Sequence, residues 1–186
     1  MTLEARTPAR AALEHAVTVE FAYLRAGGLD MLAASAEWAS WSIDDRLAQW
    51  RGGELPVKPG PETGKRLPSV SGADGILDTL DPDNRMLQPG YAVLSQSVHV
   101  TNETVVAYFT KSPEDGSLSL SARREDPLSE HTRVLVAQAC MFAAWIYART
   151  RGDQSRLDEL DALAVELHLP CRVDLEWDEE LRAHLD

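Results

Sequence analysis

Between Val134 and Ala148 the chain reads VLVAQACMFAAWIYA, and Gln138 is its one polar position. Apolar residues that go all the way round, instead of forming a stripe, predict a central helix packed on several sides. The boundary signals agree. Asp126 offers a cap and Pro127 a first-turn proline, while Arg149 and Arg151 suit the last turn and Gly152 a left-handed exit. Phe142, Trp145 and Ile146 are the expected large core side chains. The run of 15 residues is too short to cross a bilayer, which takes about 20.

Upstream, Leu13, Val17, Phe21 and Leu24 recur at three- and four-residue spacing, which predicts an amphipathic helix capped by Thr7 and ended by Gly27-Gly28. A second helix is expected from Leu29 toward Trp41. Ser42 and Asp45 then suggest a capping box for a third, ending at Arg51. Trp38 and Trp41 share a face, and with Trp50 they read either as packing between helices or as an aromatic patch for a partner.

Residues 52–90 hold 7 of the 11 glycines and 6 of the 10 prolines, a density that forbids a continuous helix or central strand. They predict a wrapping segment with one helical turn around Ile76, Leu77 and Leu80. From Tyr91 to Arg124 the pattern switches to alternation, which predicts three antiparallel strands at 91–100, 104–111 and 117–123, with a turn at Pro113–Gly116. One face of that sheet, including Leu94, Phe109, Leu118 and Leu120, is expected to lie on the central helix. The other is rich in hydroxyls and carries His99 and Tyr108. After the central helix, Gly152-Asp153 opens another with Leu157, Leu160, Ala164 and Leu167 on one side, and alternation over 173–177 suggests a short edge strand.

The expected architecture is therefore one α+β domain over 1–186. It comprises a helical arm (1–51), the wrapping segment (52–90), a three-stranded meander (91–124) on a central buried helix, and a helical part (126–186) with an acidic end.

Charge sharpens this picture. The net charge is −12, and residues 152–186 carry 3 Arg or Lys against 11 Asp or Glu, which concentrates the acidity at the C-terminal end. Such a surface disfavours a direct grip on nucleic-acid phosphates and suits a basic protein partner. The N-terminus lacks the basic and apolar pattern of a secretory signal, so a cytoplasmic protein without a membrane segment is expected. Cys140 and Cys171, without metal-like spacing, read as a buried thiol and an ordinary one.

Motifs for chemistry are wanting. Gly60, Gly64 and Lys65 miss the phosphate-loop spacing and Arg66 follows the lysine, while Asp78, Asp81 and Asp83 lack the rest of a calcium loop. The five histidines form no metal pattern, and no metal or cofactor is expected. The leading expectation is an acidic protein-binding module, such as an inhibitor, an antitoxin-like protein or an accessory subunit, that engages a partner through Asp174, Glu176, Asp178, Glu179 and Glu180. The alternative is a small-molecule enzyme or binding protein. It would use His99 as acid or base, with Tyr108 and Ser97 orienting the substrate, His131 as a second base, and residues 52–90 as a lid.

Overall fold

The computed structural model describes residues 3–83, 85–96, 109–120, 128–174 and 177–183. These residues are mostly helical. Six α-helices, α1 (Arg6–Leu24), α2 (Gly28–Arg51), α3 (Ile76–Leu80), α4 (Leu87–Gln96), α5 (Ser129–Arg151) and α6 (Gln154–Leu167), surround or extend one body. The only described sheet is a hairpin of β1 (Phe109–Lys111) and β2 (Leu118–Leu120).

The α+β meander is thus overturned. Residues 91–96, expected to open the first strand, complete α4 instead. Leu87, Gly90, Tyr91 and Leu94 keep three- and four-residue spacing while the same stretch also alternates, so local pattern alone is ambiguous. The tertiary setting resolves it. The Asp81 carboxylate accepts from the backbone N–H groups of Met86 (2.9 Å) and Leu87 (2.7 Å), capping the helix start. Leu87 and Leu94 are then buried in the core shared with α1 and α5. The Tyr91 hydroxyl donates to Glu14 Oε1 at 2.7 Å and accepts from Arg10 at 2.9 Å, which ties α4 to α1. Gly90 lets the two helices approach closely: a Cβ there would stand 2.4 Å from Leu135 Cδ2 on α5, and the Leu135 side chain would have to shift.

The hairpin keeps the expected turn over residues 113–115, pairing Phe109 with Leu120 and Lys111 with Leu118. It does not cover the central helix. Phe109, Leu118 and Leu120 are all exposed, because α1 lies along α5 where the sheet was expected.

Helix α5 begins and ends close to expectation, with Gly152 left-handed at φ 65°. It joins two core clusters. Leu135, Ala139 and Phe142 pack with α1, α3 and α4, while Met141, Trp145, Ile146 and Ala148 pack with Leu157 and Leu160 of α6. Packing is not complete on all sides, however: Val134, Cys140 and Tyr147 face solvent. Asp126 and Pro127 lie outside the described residues, and Leu128 precedes the first turn without a side-chain cap. Thr7 likewise lies inside α1 and does not cap it. Asp153 does cap α6, its carboxylate accepting from Arg156 N–H at 3.1 Å.

The N-terminal arm is simpler than expected, since α2 is one uninterrupted helix of 24 residues. Asp45 accepts from the Gln49 side chain at 2.6 Å, so it serves an i,i+4 contact and not a new helix start. Residues 53–67 run back along this helix. Trp41 Nε1 donates to the Pro56 carbonyl (3.3 Å), and Ser35 Oγ accepts from Leu67 N–H (2.8 Å). Lys58 and Arg66 sit over the Trp38 ring at 5.6 and 4.8 Å. The Gly/Pro-rich segment therefore wraps one side of α2, then turns into α3, the expected helical turn.

Of the edge strand expected over 173–177, Val173, Asp174 and Trp177 are not in a strand and residues 175 and 176 lie outside the described residues; a 3₁₀ turn follows at Glu179–Leu181. Ala26 N–H donates to the Leu181 carbonyl and Ala183 N–H to Leu24, pinning the acidic end to the α1–α2 connection.

Candidate functional site

The residues expected to contact a partner do not form one surface. Asp178, Glu179 and Glu180 are exposed, but Asp174 is only 1% exposed and Glu176 lies outside the described residues. Asp174 is withdrawn because Arg172 holds it in a two-pronged pair at 2.7 and 2.6 Å. The Arg172 guanidinium also lies 5.2 Å from the Trp145 ring centroid, which fixes this pair against the core. Hydrogen bonding to Asp174 raises the Arg172 pKa despite burial, so the guanidinium stays charged.

Behind it lies Glu20, fully buried on α1, with neither carboxyl oxygen in a hydrogen bond. Burial first, and the charge of Asp174 second, push its pKa up to about 9, with Arg172 opposing them. Glu20 is therefore protonated at neutral pH. A cleft of about 530 Å³ opens beside this group, lined by Trp145, Arg149, Asp161, Arg172, Asp174, Glu179 and Arg182 among others. Its three guanidiniums face three carboxylates. The charge balance leaves little pull on a strongly anionic ligand.

Of the residues proposed for catalysis, Ser97, His99 and Tyr108 lie outside the described residues. His131 is exposed in the first turn of α5. It lines an apolar groove of about 290 Å³ together with Met86, Pro89, Val93 and Val134, with Arg85 and Glu130 at the edge. No nucleophile or carboxylate among the described residues is hydrogen-bonded to it. Among the described residues no group of His, Cys, Asp and Glu is arranged to hold a metal ion, and Asp81 is occupied as the cap of α4. The two thiols are reversed from expectation. Cys140 is exposed, whereas Cys171 is buried and donates to the Leu160 carbonyl at 3.3 Å. Burial, then the nearby Asp161 and Glu20, raise the Cys171 pKa to about 11.

Of the three tryptophans read as packing or as an aromatic patch, only Trp50 stands fully on the outer side of α2, and the apolar line that it ends there is what sequence reasoning missed. Trp38 and Trp41 pack edge to face at 5.6 Å beneath residues 53–67, but Trp50 is 80% exposed. On the uncovered side Leu29 (58%), Ile43 (59%) and Leu47 (39%) are exposed with it. Ala33, Ala36 and Ser40 are exposed between them. The full series 29, 33, 36, 40, 43, 47, 50 alternates steps of four and three, the spacing of a helix-pairing seam. Dividing α2 into two helices at Ser42 hides that spacing, which is why it went unread.

No protein-family model, curated protein or solved structure matches the chain. No described helix is long and apolar enough to cross a membrane.

Proposed function

We propose that the protein is a protein-binding module whose helical body carries α2 as its docking arm. The observation that supports this reading is the outer face of α2, where four large apolar side chains stand in solvent along one line. Contiguous exposed apolar surface of this kind marks interaction sites, and aromatic residues such as Trp50 supply much of the binding energy at them. Residues 53–67 already cover the opposite side, so the outer face is the one left for a partner. The exposed acids Asp178, Glu179 and Glu180 contribute a negative field that biases encounter and adds little contact. Asp174 contributes neither, being paired inside.

Thiol labelling tests this reading. An Ile43→Cys variant in a Cys140→Ser background reports the accessibility of the arm. The expected result is rapid maleimide labelling in dilute purified protein and strongly slowed labelling in extract from the native host. Equal rates would overturn the assignment of α2 as a docking arm.

A further inference from the structure

The occupant of the arm can be narrowed from the order of side-chain sizes along the seam. Laid head to tail on itself about a two-fold axis at Ser40, the series opposes Leu29 with Trp50, Ala33 with Leu47, and Ala36 with Ile43 of a second copy. Every layer beyond the axis then combines a larger with a smaller residue. At the axis the two Ser40 residues let the backbones approach closely and can bond to each other. Parallel pairing gives the reverse. Ala33, Ala36 and Ser40 would each meet their own copy and leave voids, while Trp50 would meet Trp50.

We infer that the outer face of α2 pairs antiparallel with the same face of a second copy of this chain; this rests on the reading of α2 as a docking arm. The flanking charges fit the same alignment at its ends, where Asp30 stands beside Arg51 of the second copy. Nearer the middle Glu37 stands beside Asp44. That like-charge contact weakens the pair and supplies a handle on its geometry: Asp44→Lys converts it to an attraction only when the helices run antiparallel. Because each copy carries −12, the two repel at long range, and added salt strengthens self-pairing. A basic partner would show the opposite dependence.

Sedimentation equilibrium of the full chain and disulfide trapping test the inference together. In a Cys140→Ser background, Ser40→Cys is expected to link to itself, and Ala36→Cys to link to Ile43→Cys in a mixture of the two variants. Ala36→Cys alone is expected not to link, since its counterpart lies about 10 Å along the axis, beyond disulfide reach. Dimerisation is expected to tighten as salt is raised and to tighten further with Asp44→Lys. Leu47→Glu, on an exposed position that the fold does not need, is expected to weaken it at least about 100-fold with helicity unchanged.

A monomer at all concentrations, or a link from Ala36→Cys alone, overturns antiparallel self-pairing. The labelling experiment separates the two proposals. If the chain is monomeric yet Ile43→Cys is protected in host extract, self-pairing fails and the docking arm stands. If the chain is monomeric and labels equally fast in both, both fail.

Discussion

Helices α5 and α2 are nearly equal in length, at 23 and 24 residues, yet they spend their apolar residues in opposite ways. The first buries Leu135, Phe142, Trp145 and Ile146 against helices from both sides of the chain. Only Gly28 and Ala34 are buried in the second, although it contains three tryptophans. An apolar side chain stabilises a fold only to the extent that something removes it from water. Helix α5 meets that condition within the monomer, whereas Leu29, Ile43, Leu47 and Trp50 on the outer side of α2 stay in water.

The largest test of this contrast is a pair of truncations. Phe142→Ala is expected to cost about 3 to 5 kcal/mol, because a fully buried ring leaves a cavity in the body. Trp50→Ala removes a ring that already stands in water, and is expected to change monomer stability by less than about 0.5 kcal/mol. Denaturant unfolding of both variants at low concentration would measure the difference. Similar losses would show that the arm is part of the cooperative core.

A smaller effect is expected where the body buries a group that belongs in water. In the folded chain Glu20 keeps its proton up to about pH 9, against an ordinary value of 4.5. Between those values the folded state binds more protons than the unfolded state, so this group's contribution to stability falls as pH rises through that window. Glu20→Gln removes the titration. The variant is expected to match the parent in acid and to exceed it by at least about 1 kcal/mol near pH 8. Unfolding curves across pH would check this, and parallel pH profiles would contradict a buried neutral carboxyl.

The smallest effect sharpens the two faces of the body. Cys140 on the open side of α5 is expected to react with a thiol reagent promptly. Cys171, with its raised pKa and its bond to Leu160, is expected to react only on unfolding. Mass spectrometry of the labelled peptides distinguishes them, and equal rates would mean that the segment after Pro170 is not held against α6.

The sequence by itself determined the elements whose signals are local and strong: α1, α5 and α6, the stop at Gly152, the turn at Ile76–Leu80 and the hairpin turn near Pro113. It also determined the large core residues of α5 and the acidity of the C-terminal end. Tertiary structure decided the rest, for physical reasons that can be named. Residues 91–96 satisfy both helical and strand periods, and the cap from Asp81 with burial of Leu87 and Leu94 selected the helix. Nothing in the spacing of Arg172 and Asp174 announces that they pair inward beside Trp145 and Glu20, since burial of a charge depends on neighbours from distant segments. The seam on α2 was written in the sequence from Leu29 to Trp50. Which side of the helix the Gly/Pro-rich segment would cover, and so which side would stay open, was fixed only when that segment folded back over Trp38 and Trp41.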